Sequence, residues 1–314
     1  MRRFLFKTGL FFLLVVLLDR GLGTILSYMS DHASGGYLGH QNYIVNRSTD
    51  DILVFGSSRA IHHYNAALIA DSLGLSCYNC GQDGEGIVLY HAWWEMIRRR
   101  HHPRLVIYEV TPAYDVLQGD NTKHLGWLKG HYDDEVVRRE FDEIDPCERY
   151  RMLSMLYRYN SRFHQVLLDY LHPVHNMTLG FLPVHSELDT LRIRDERQLN
   201  EKASEEELLT DSLKLRYFED MIREAEDTRF VFVYSPTWYG HHDSGIDPIM
   251  ELARRHGFLF LDFTDSAKYV HHNEFFYDGS HLNARGADEF TRDLIHELRK
   301  YRIIEESVLS PSIR

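Results

Sequence analysis

Cysteine and positive charge are the two things this sequence has little of. It contains three cysteines, Cys77, Cys80 and Cys147, in 314 residues. That odd, low number excludes a framework of stapling disulfides. Lys and Arg total 35 against 47 Asp and Glu, a formal net charge of −12. Because phosphate contacts need clustered Lys and Arg, this balance argues against general nucleic-acid binding.

Two short clusters depart from that composition, and each allows two interpretations. The C-x-x-C at 77–80 has a redox spacing, but SCYNCG is typical of a strand that enters a glycine turn, which favours two packed or loop cysteines. The basic run RRRHHPR at 98–104 is either a binding patch or the cationic end of a helix, and the helix macrodipole favours the second.

The motifs of common cofactors are also missing. Neither G-x-x-x-x-G-K-[ST] nor G-x-G-x-x-G occurs, so nothing indicates a nucleotide site. Adjacent histidines occur at 62–63, 101–102, 241–242 and 271–272. Side chains of adjacent residues diverge, and no H-x-x-x-H with a carboxylate is present. We therefore expect no cofactor and no metal site.

The N-terminal segment, residues 1–29, is the most apolar part of the chain. It starts with basic residues and has an uncharged run at 8–18. A spanning helix needs ~20 residues, which the run reaches only if it extends over 4–29. That extension includes three charged residues, Lys7, Asp19 and Arg20. A cleaved signal peptide fits the basic start but lacks a convincing cleavage site, and a buried soluble helix would be amphipathic. We expect an uncleaved signal anchor, with the rest of the chain outside the cytoplasm.

Beyond a polar linker at about 30–50, short apolar runs alternate with helical patterns. The runs predict strands at 51–55, 76–80, 104–110, 229–236 and 258–263, and the patterns between and after them predict helices at 61–74, 86–100, 245–256 and 284–301. Each strand is continuously apolar, as in a parallel sheet covered on both faces. Alternation of this kind implies right-handed βαβ units. The sequence therefore predicts an α/β domain over 51–303 with a five-stranded parallel sheet.

The alternation breaks between about 111 and 228. Helical patterns occur at 147–171 and 204–226, without a convincing strand. This predicts a helical insertion between the third and fourth strands, of the kind that often forms a lid or a partner surface. Residues 304–314 are expected to be a C-terminal tail.

Residues able to perform chemistry follow the predicted strands. In parallel α/β sheets such groups collect at the carboxyl ends of strands. The first strand runs into Gly-Ser-Ser-Arg at 56–59, where a serine beside helix N-terminal amides would suit a nucleophile with an oxyanion hole. His281 could serve as its base and Asp278 could orient the imidazole. The simpler interpretation is that the serines cap a helix, and that Asp278 and His281 are a cap and a surface histidine.

These blocks resemble the SGNH/GDSL hydrolase superfamily. FGSS at 55–58 looks like the strand-Gly-Asp-Ser block with Ser57 in place of the aspartate, so the resemblance implies Ser58 as the nucleophile. The D-G-S-H segment, followed by Leu-Asn-x-x-Gly, matches the last block and implies His281 and Asp278 as the other triad members. The superfamily implies a three-layer flavodoxin-like fold.

The middle blocks of the superfamily pattern match less well. The second-block glycine, which donates its amide to the oxyanion together with the Ser58 amide, resembles Gly84 in NCGQDGEG rather than Gly81. The third block is usually G-x-N-D, and here it reads V-T-P-A at 110–113, so the donating asparagine is missing. Thr111 or a residue of the insertion is the candidate replacement.

Three further residues are candidate substrate contacts. Arg59, beside the serine, could bind an anionic group or could pair with an acid. Trp238 and Tyr239 follow the fourth strand, where they could stack on a sugar ring or pack as ordinary loop residues.

The resemblance and the N-terminal segment together imply a serine esterase or O-acyltransferase. It would act through an acyl-serine on O-acyl, such as acetyl, esters of a cell-envelope glycan. Hydrolysis and transfer would use the same residues, and a multi-span membrane acyltransferase is a candidate partner. The alternative is a non-catalytic, membrane-anchored partner in an envelope polysaccharide acylation or export assembly, with the missing asparagine marking a decayed site.

Overall fold

The computed structural model describes residues 1–188, 209–225, 227–241 and 243–303. The chain forms two compact units, one from residues 1–47 and 120–176 and the other from 48–119 and 177–314. Part of the predicted helix at 204–226, the predicted tail at 304–314 and His242 lie outside the described residues.

The described α-helices alternate with strands only in the second unit. In chain order they are Arg2–Asp31 (α1), Gly36–Asn46 (α2), Ser58–His63 (α3), Ala66–Leu73 (α4), Ile87–Arg98 (α5), Pro112–Asp115 (α6), Glu135–Ile144 (α7), Glu148–Arg151 (α8), Phe163–Leu171 (α9), Ser212–Arg223 (α10), Asp247–His256 (α11) and Ala284–Lys300 (α12). The strands are Ile52–Gly56 (β1), Cys77–Asn79 (β2), Leu105–Glu109 (β3), Arg229–Tyr234 (β4) and Leu259–Asp262 (β5).

The second unit, which we call the sheet unit, contains one five-stranded sheet. Its order is β2-β1-β3-β4-β5 and every pair is parallel. The prediction of an α/β fold with a five-stranded parallel sheet is therefore confirmed, and the architecture is that of a flavodoxin-like three-layer fold. All residues of β1 and β3 are buried, as expected when helices cover both faces.

Helices cover the sheet from two sides. On one face, strand residues such as Val54 and Ile107 belong to the same apolar core as Phe290 and Leu294 of α12, and α12 packs against α3 and α4. On the other face Phe55 stacks on Tyr90 of α5, with ring centroids 5.2 Å apart, and α5 packs against α10. The helix predicted at 61–74 is two helices, because the Asn65 side chain accepts from the Leu68 amide and starts α4 anew.

The first unit, which we call the helical unit, contains α1, α2 and α7 to α9. Within the described residues, α1 is the one helix long and apolar enough to cross a membrane. The segment predicted as a polar linker contains α2, in which seven of eleven residues are buried. Residues 120–176 of the predicted insertion belong to this unit.

The helix predicted over 147–171 is divided in the structure. It consists of α8, a 3-10 turn at Tyr157–Tyr159 and α9. The interruption has a polar cause, because the Asp19 carboxylate accepts from the Ser154 hydroxyl, the Met155 amide at 3.0 Å and the Leu156 amide at 3.2 Å. These hydrogen-bond donors, which a continuous helix would use within itself, therefore bond to α1 instead.

Candidate active site

Ser58 owes its position to the turn at the end of β1. Gly56 has φ +133, in the region that favours glycine, and a Cβ there would lie 2.6 Å from the Glu109 carbonyl oxygen. After this turn Ser57 precedes α3 and Ser58 is its first residue. The Ser57 hydroxyl does not cap the helix, because it is buried and has no hydrogen-bond partner among the described residues.

The structure brings Ser58, His281 and Asp278 together. His281 Nε2 lies 2.7 Å from Ser58 Oγ, and both Asp278 oxygens lie 2.9 Å from His281 Nδ1. Burial favours the neutral form of Asp278, but the His281 ring and the amides of Ser280 and His281 hold its pKa below the usual range. The ionised carboxylate keeps the proton on Nδ1, so Nε2 can accept from Ser58, which is the tautomer a general base needs.

The Leu-Asn-x-x-Gly sequence holds the loop that carries His281. The Asn283 amide group donates to the carbonyls of Glu274 at 3.0 Å and Phe276 at 3.2 Å, and its oxygen accepts from the Gly286 amide at 3.0 Å. A Cβ at Gly286 would lie 2.0 Å from the Phe275 carbonyl oxygen. The loop can therefore rest on the first turn of α12 only because that residue is glycine.

Arg59 is part of a buried ion pair beneath the triad. It is 5% exposed, its Nη2 lies 2.9 Å from Glu109 Oε1, and its guanidinium lies 4.0 Å from the centre of the Tyr234 ring. Burial raises the pKa of Glu109, while Arg59 and hydrogen bonds from Tyr64 and Ser235 act in the opposite direction. The structure therefore contains the pairing of Arg59 with an acid, and its role as a substrate contact stays a prediction.

His63 connects this ion pair to the loop of His281. Its Nδ1 lies 2.7 Å from Ser235 Oγ, which lies 2.9 Å from Glu109 Oε1. Its Nε2 accepts from the Leu282 amide at 2.9 Å, so the ring proton is on Nδ1. Burial, followed by the Arg59 charge, lowers the pKa of His63 well below its usual value. A neutral His63 thus holds the backbone immediately after His281.

His62, on the same helix, lies beside the triad and contacts two hydrogen-bond acceptors. Its Nδ1 lies 2.7 Å from the Leu182 carbonyl and its Nε2 lies 3.2 Å from Asp83 Oδ1. Both partners are acceptors, so both ring nitrogens carry protons when these contacts are made. Burial alone would lower its pKa, but Asp83 and the Leu182 carbonyl outweigh burial and raise it. The His62 ring lies 6.1 Å from the His281 ring, measured between centroids.

Residues 179–184 of the predicted insertion form one wall of the site. Three hydrogen bonds fix this wall segment: Asn79 N to Leu179 O at 2.9 Å, Leu182 N to Ile61 O at 2.9 Å, and Ala284 N to Val184 O at 2.7 Å. It therefore contacts the end of β2, α3 and the start of α12.

The Ser58 and Gly84 amides are the predicted oxyanion donors. The Ser58 amide opens α3 and has no acceptor within that helix. The Gly81 amide donates to Asn79 Oδ1 at 2.8 Å, so it is already used. Gly84, at φ +71, remains the candidate second donor.

Thr111, the predicted replacement for an oxyanion-binding asparagine, follows the end of β3. Gly56 pairs with Glu109 across β1 and β3, so Ser58 and Thr111 each follow their strand by two residues. The Thr111 amide donates to Asp115 Oδ2 at 2.6 Å, whereas its hydroxyl oxygen is buried without a partner among the described residues. Burial raises the pKa of Asp115 to about 7. The role of Thr111 as the replacement for the asparagine stays a prediction.

Trp238 and Tyr239 lie beside the triad loop. The Trp238 amide donates to the Gly279 carbonyl at 3.0 Å and its indole N–H donates to Asn273 Oδ1 at 2.8 Å. The Tyr239 ring meets the indole edge to face at 5.5 Å. Both side chains are half-buried, and their role as substrate contacts stays a prediction.

The cysteine pair and the histidines were the other candidates for chemistry in the sequence. Cys77 and Cys80 are buried free thiols, and burial raises the pKa of both well above the usual value. In the ranges that the structure describes, no group of three or more His, Cys, Asp and Glu side chains is arranged to hold a metal ion.

Sequence reasoning missed His62, His63, Glu109 and Ser235. One signal was present, because Glu109 interrupts the apolar run LVIYEV. A carboxylate inside a buried strand needs a partner, and Arg59 follows the neighbouring strand. The two histidines stood out in the sequence only as candidate metal ligands.

No protein-family model matches this chain, and no curated protein matches it. Its chemistry is therefore inferred from the geometry of its own residues.

Proposed function

We propose that this protein is a membrane-anchored serine esterase or O-acyltransferase of SGNH type. The observation that supports it most is the hydrogen-bonded series Ser58 Oγ, His281 and Asp278 at the carboxyl end of a parallel sheet. The series is only partly buried, with 25% of the His281 side chain exposed, so an ester can approach it.

The reaction would proceed in two acyl transfers. As Ser58 Oγ bonds to the ester carbonyl carbon, His281 takes the hydroxyl proton. The amides of Ser58 and Gly84 and the Thr111 hydroxyl stabilise the oxyanion. The bond to the leaving alcohol then breaks and His281 returns the proton to that alcohol. Water or an acceptor hydroxyl then attacks the acyl carbon while His281 takes its proton. The bond from that carbon to Ser58 Oγ breaks, His281 returns the proton to Ser58, and the acid or the new ester leaves.

The proposed compartment is extracytoplasmic and the proposed substrate is an O-acylated envelope glycan. Arg2, Arg3 and Lys7 precede the apolar run of α1, and the positive-inside rule leaves such a basic end in the cytoplasm. The rest of the chain would then face the envelope, where O-acylated glycans are one class of ester, and this is the class that we propose as substrate.

Contacts of α1 within its own unit support an uncleaved anchor. Asp19 accepts hydrogen bonds from residues 154–156, and Arg20 Nη2 donates to the Leu153 carbonyl at 2.7 Å. Gly23 packs so closely that a Cβ there would lie 2.4 Å from Met155 Cβ. Removal of α1 would expose all of these groups.

One observation favours the alternative of a non-catalytic partner in an acylation or export assembly. Besides lacking the third-block asparagine, the chain commits the Thr111 amide to Asp115. Removal of one oxyanion donor typically costs ~10²–10³ in turnover, so a site with two amides alone would be weak.

A fluorophosphonate probe separates these functions in the full-length protein. We expect labelling of the wild type and none of Ser58→Ala or His281→Ala. Ser57→Ala is the matched control, because it removes the neighbouring hydroxyl, which has no partner among the described residues, and it should keep the label. Labelling that persists in Ser58→Ala, or that never occurs, contradicts the esterase proposal. Acetate released from an O-acetylated glycan, compared with acetyl moved to an added glycan, then distinguishes hydrolysis from transfer.

A further inference from the structure

The helical unit contains an apolar cavity whose lining is partly exposed. Its volume is about 420 Å³, and its walls include Leu22, Ile25 and Leu26 of α1 and Leu156, Phe163 and Leu167 of the 156–167 segment. Ile25 is 56% exposed and Phe163 is 53% exposed. Exposed apolar side chains grouped in this way indicate a surface that binds something apolar.

The length of α1 indicates the depth of this cavity in a bilayer that α1 spans. The hydrocarbon core of a bilayer is ~30 Å thick and a helix rises ~1.5 Å per residue, so a crossing that begins at Phe4 ends near Gly23. Side chains from Phe4 to Leu18 are exposed, apart from the half-buried Thr8, as expected of a spanning surface. The crossing therefore continues past Asp19 and reaches Leu22, in the cavity wall.

The polar groups at that depth already have partners from the same unit. Asp19 accepts from residues 154–156, and Arg20 donates to the Leu153 carbonyl. Satisfied polar groups can enter the bilayer edge at much lower cost than free ones. The same contacts bring the 153–156 segment to the level where α1 leaves the hydrocarbon, and Leu153 there is 66% exposed.

The geometry points to a lipid site: we propose that residues 153–167 enter the outer interface of the bilayer that α1 spans, and that the cavity holds the acyl chain of an outer-leaflet lipid. On one face of α1 the exposed apolar side chains Leu18, Leu22 and Ile25 follow one another at spacings of three or four residues, and the last two belong to the cavity wall. A volume of about 420 Å³ lies in the usual range of small-ligand pockets, ~300–1,000 Å³.

A partner transmembrane helix fits this surface less well than a lipid. Close packing between such helices depends on small residues at the contact. Met155 already covers Gly23 of α1, and the described lining of the cavity contains no glycine, alanine, serine or threonine. An acyl chain needs only apolar walls, which the cavity has.

The inference depends on the proposed anchoring, and site-specific quenching tests the two separately. In a Cys147→Ser background of the full chain, single cysteines replace Val15, Leu167 or Arg139 and carry a bimane label; Cys77 and Cys80 are buried. The proteins are placed in phosphatidylcholine nanodiscs with or without brominated acyl chains. Arg139 is an exposed residue of α7 and serves as the control in the same unit.

We expect the Leu167 label to lose emission to about the same extent as the Val15 label, and the Arg139 label to lose none. Quenching at Val15 without quenching at Leu167 overturns the lipid site and leaves the anchor intact. Absence of quenching at Val15 overturns both the lipid site and the anchor. The label at Leu167 is also measured in native membranes that contain brominated lipid. Quenching in pure-lipid nanodiscs but not in native membranes identifies a protein helix as the occupant of the cavity, which also overturns the lipid site. A label at Phe163 repeats the measurement if Leu167→Cys fails to fold.

Discussion

Two polar clusters, one in the sheet unit and one in the helical unit, have different partners. In the sheet unit, side chains from separate segments bond to one another, as Arg59, Glu109, Ser235 and His63 do beneath the triad. In the helical unit, the carboxylate of Asp19 serves main-chain amides while large apolar side chains stay exposed. In the sheet unit, hydrogen bonds between side chains fix the positions of the reacting atoms. In the helical unit, polar side chains that bond within the unit leave an apolar surface that lipid can contact. The difference suggests chemistry in one unit and attachment in the other.

The largest expected effect concerns the triad. Asp278→Asn should lower kcat/KM for p-nitrophenyl acetate by ~10⁴, because the amide no longer keeps the proton on His281 Nδ1. Asp83→Asn is the matched control, since it also alters a carboxylate beside a histidine of the site, and it should have a much smaller effect. Equal losses in the two variants would mean that the site tolerates no charge change and that the triad has no special role.

The next effect concerns the buried ion pair. Glu109→Ala should destabilise the sheet unit by ~3–5 kcal/mol, because it leaves the Arg59 guanidinium buried without its partner. Urea unfolding followed by the emission of Trp93 and Trp94, both fully buried in this unit, measures the change. The double variant Arg59→Met with Glu109→Leu should recover most of the loss. A double variant as unstable as the single one would show that packing, and not the charge, is what was lost.

A smaller effect is expected in the helical unit. Asp19→Ala removes the acceptor of the Met155 and Leu156 amides, and an orphaned buried group costs ~1–3 kcal/mol. Hydrogen exchange of these two amides should accelerate accordingly. Ser27→Ala, on the same helix, should leave their exchange unchanged. Unaltered exchange in Asp19→Ala would mean that Asp19 does not cause the break between α8 and α9.

The smallest expected effect is a dependence of the free energy of unfolding on pH. His63 is neutral in the fold because its pKa is depressed, whereas the unfolded chain binds a proton below ~6.5. The unfolded state then holds more protons, so stability falls as pH drops below that value, by up to ~1.4 kcal/mol per pH unit. His63→Gln should flatten this part of the curve.

His62→Gln is the control for that slope. The raised pKa of His62 stabilises the fold below ~6.5, and this contribution disappears as pH rises through the folded-state value. The two variants should therefore change the stability curve with opposite signs. The same sign in both would contradict the protonation states assigned to the pair.

The strands were predictable because each is a short, continuous apolar run next to a turn. The strand predicted at 229–236 is observed at Arg229–Tyr234, and the one at 104–110 at Leu105–Glu109. The helix predicted at 147–171 was wrong as one element, because its break depends on Asp19, more than 130 positions away. Local periodicity carries no information about such a partner.

The residues of the site also divide into those that the sequence predicts and those that only the fold brings together. Ser58, Asp278 and His281 could be selected from residue type and position beside predicted strands. Arg59 allowed two interpretations, and only the fold decided for Glu109, because the pairing requires β1 and β3 to be neighbours. His63 had no sequence signal for its role, since its partners are an amide and a hydroxyl contributed by distant segments.

The order of apolar and polar residues along the chain determined the class of fold and the apolar N-terminal helix by itself. It also singled out the serine, histidine and aspartate of the site. All of these depend on neighbours within a few positions in the sequence. Only the tertiary structure decided which groups meet: the distance from Ser58 to His281, the burial of Arg59, the wall at 179–184 and the cavity beside α1. Those contacts join segments that are far apart in sequence, and their energies depend on burial and geometry that exist only after the chain has folded.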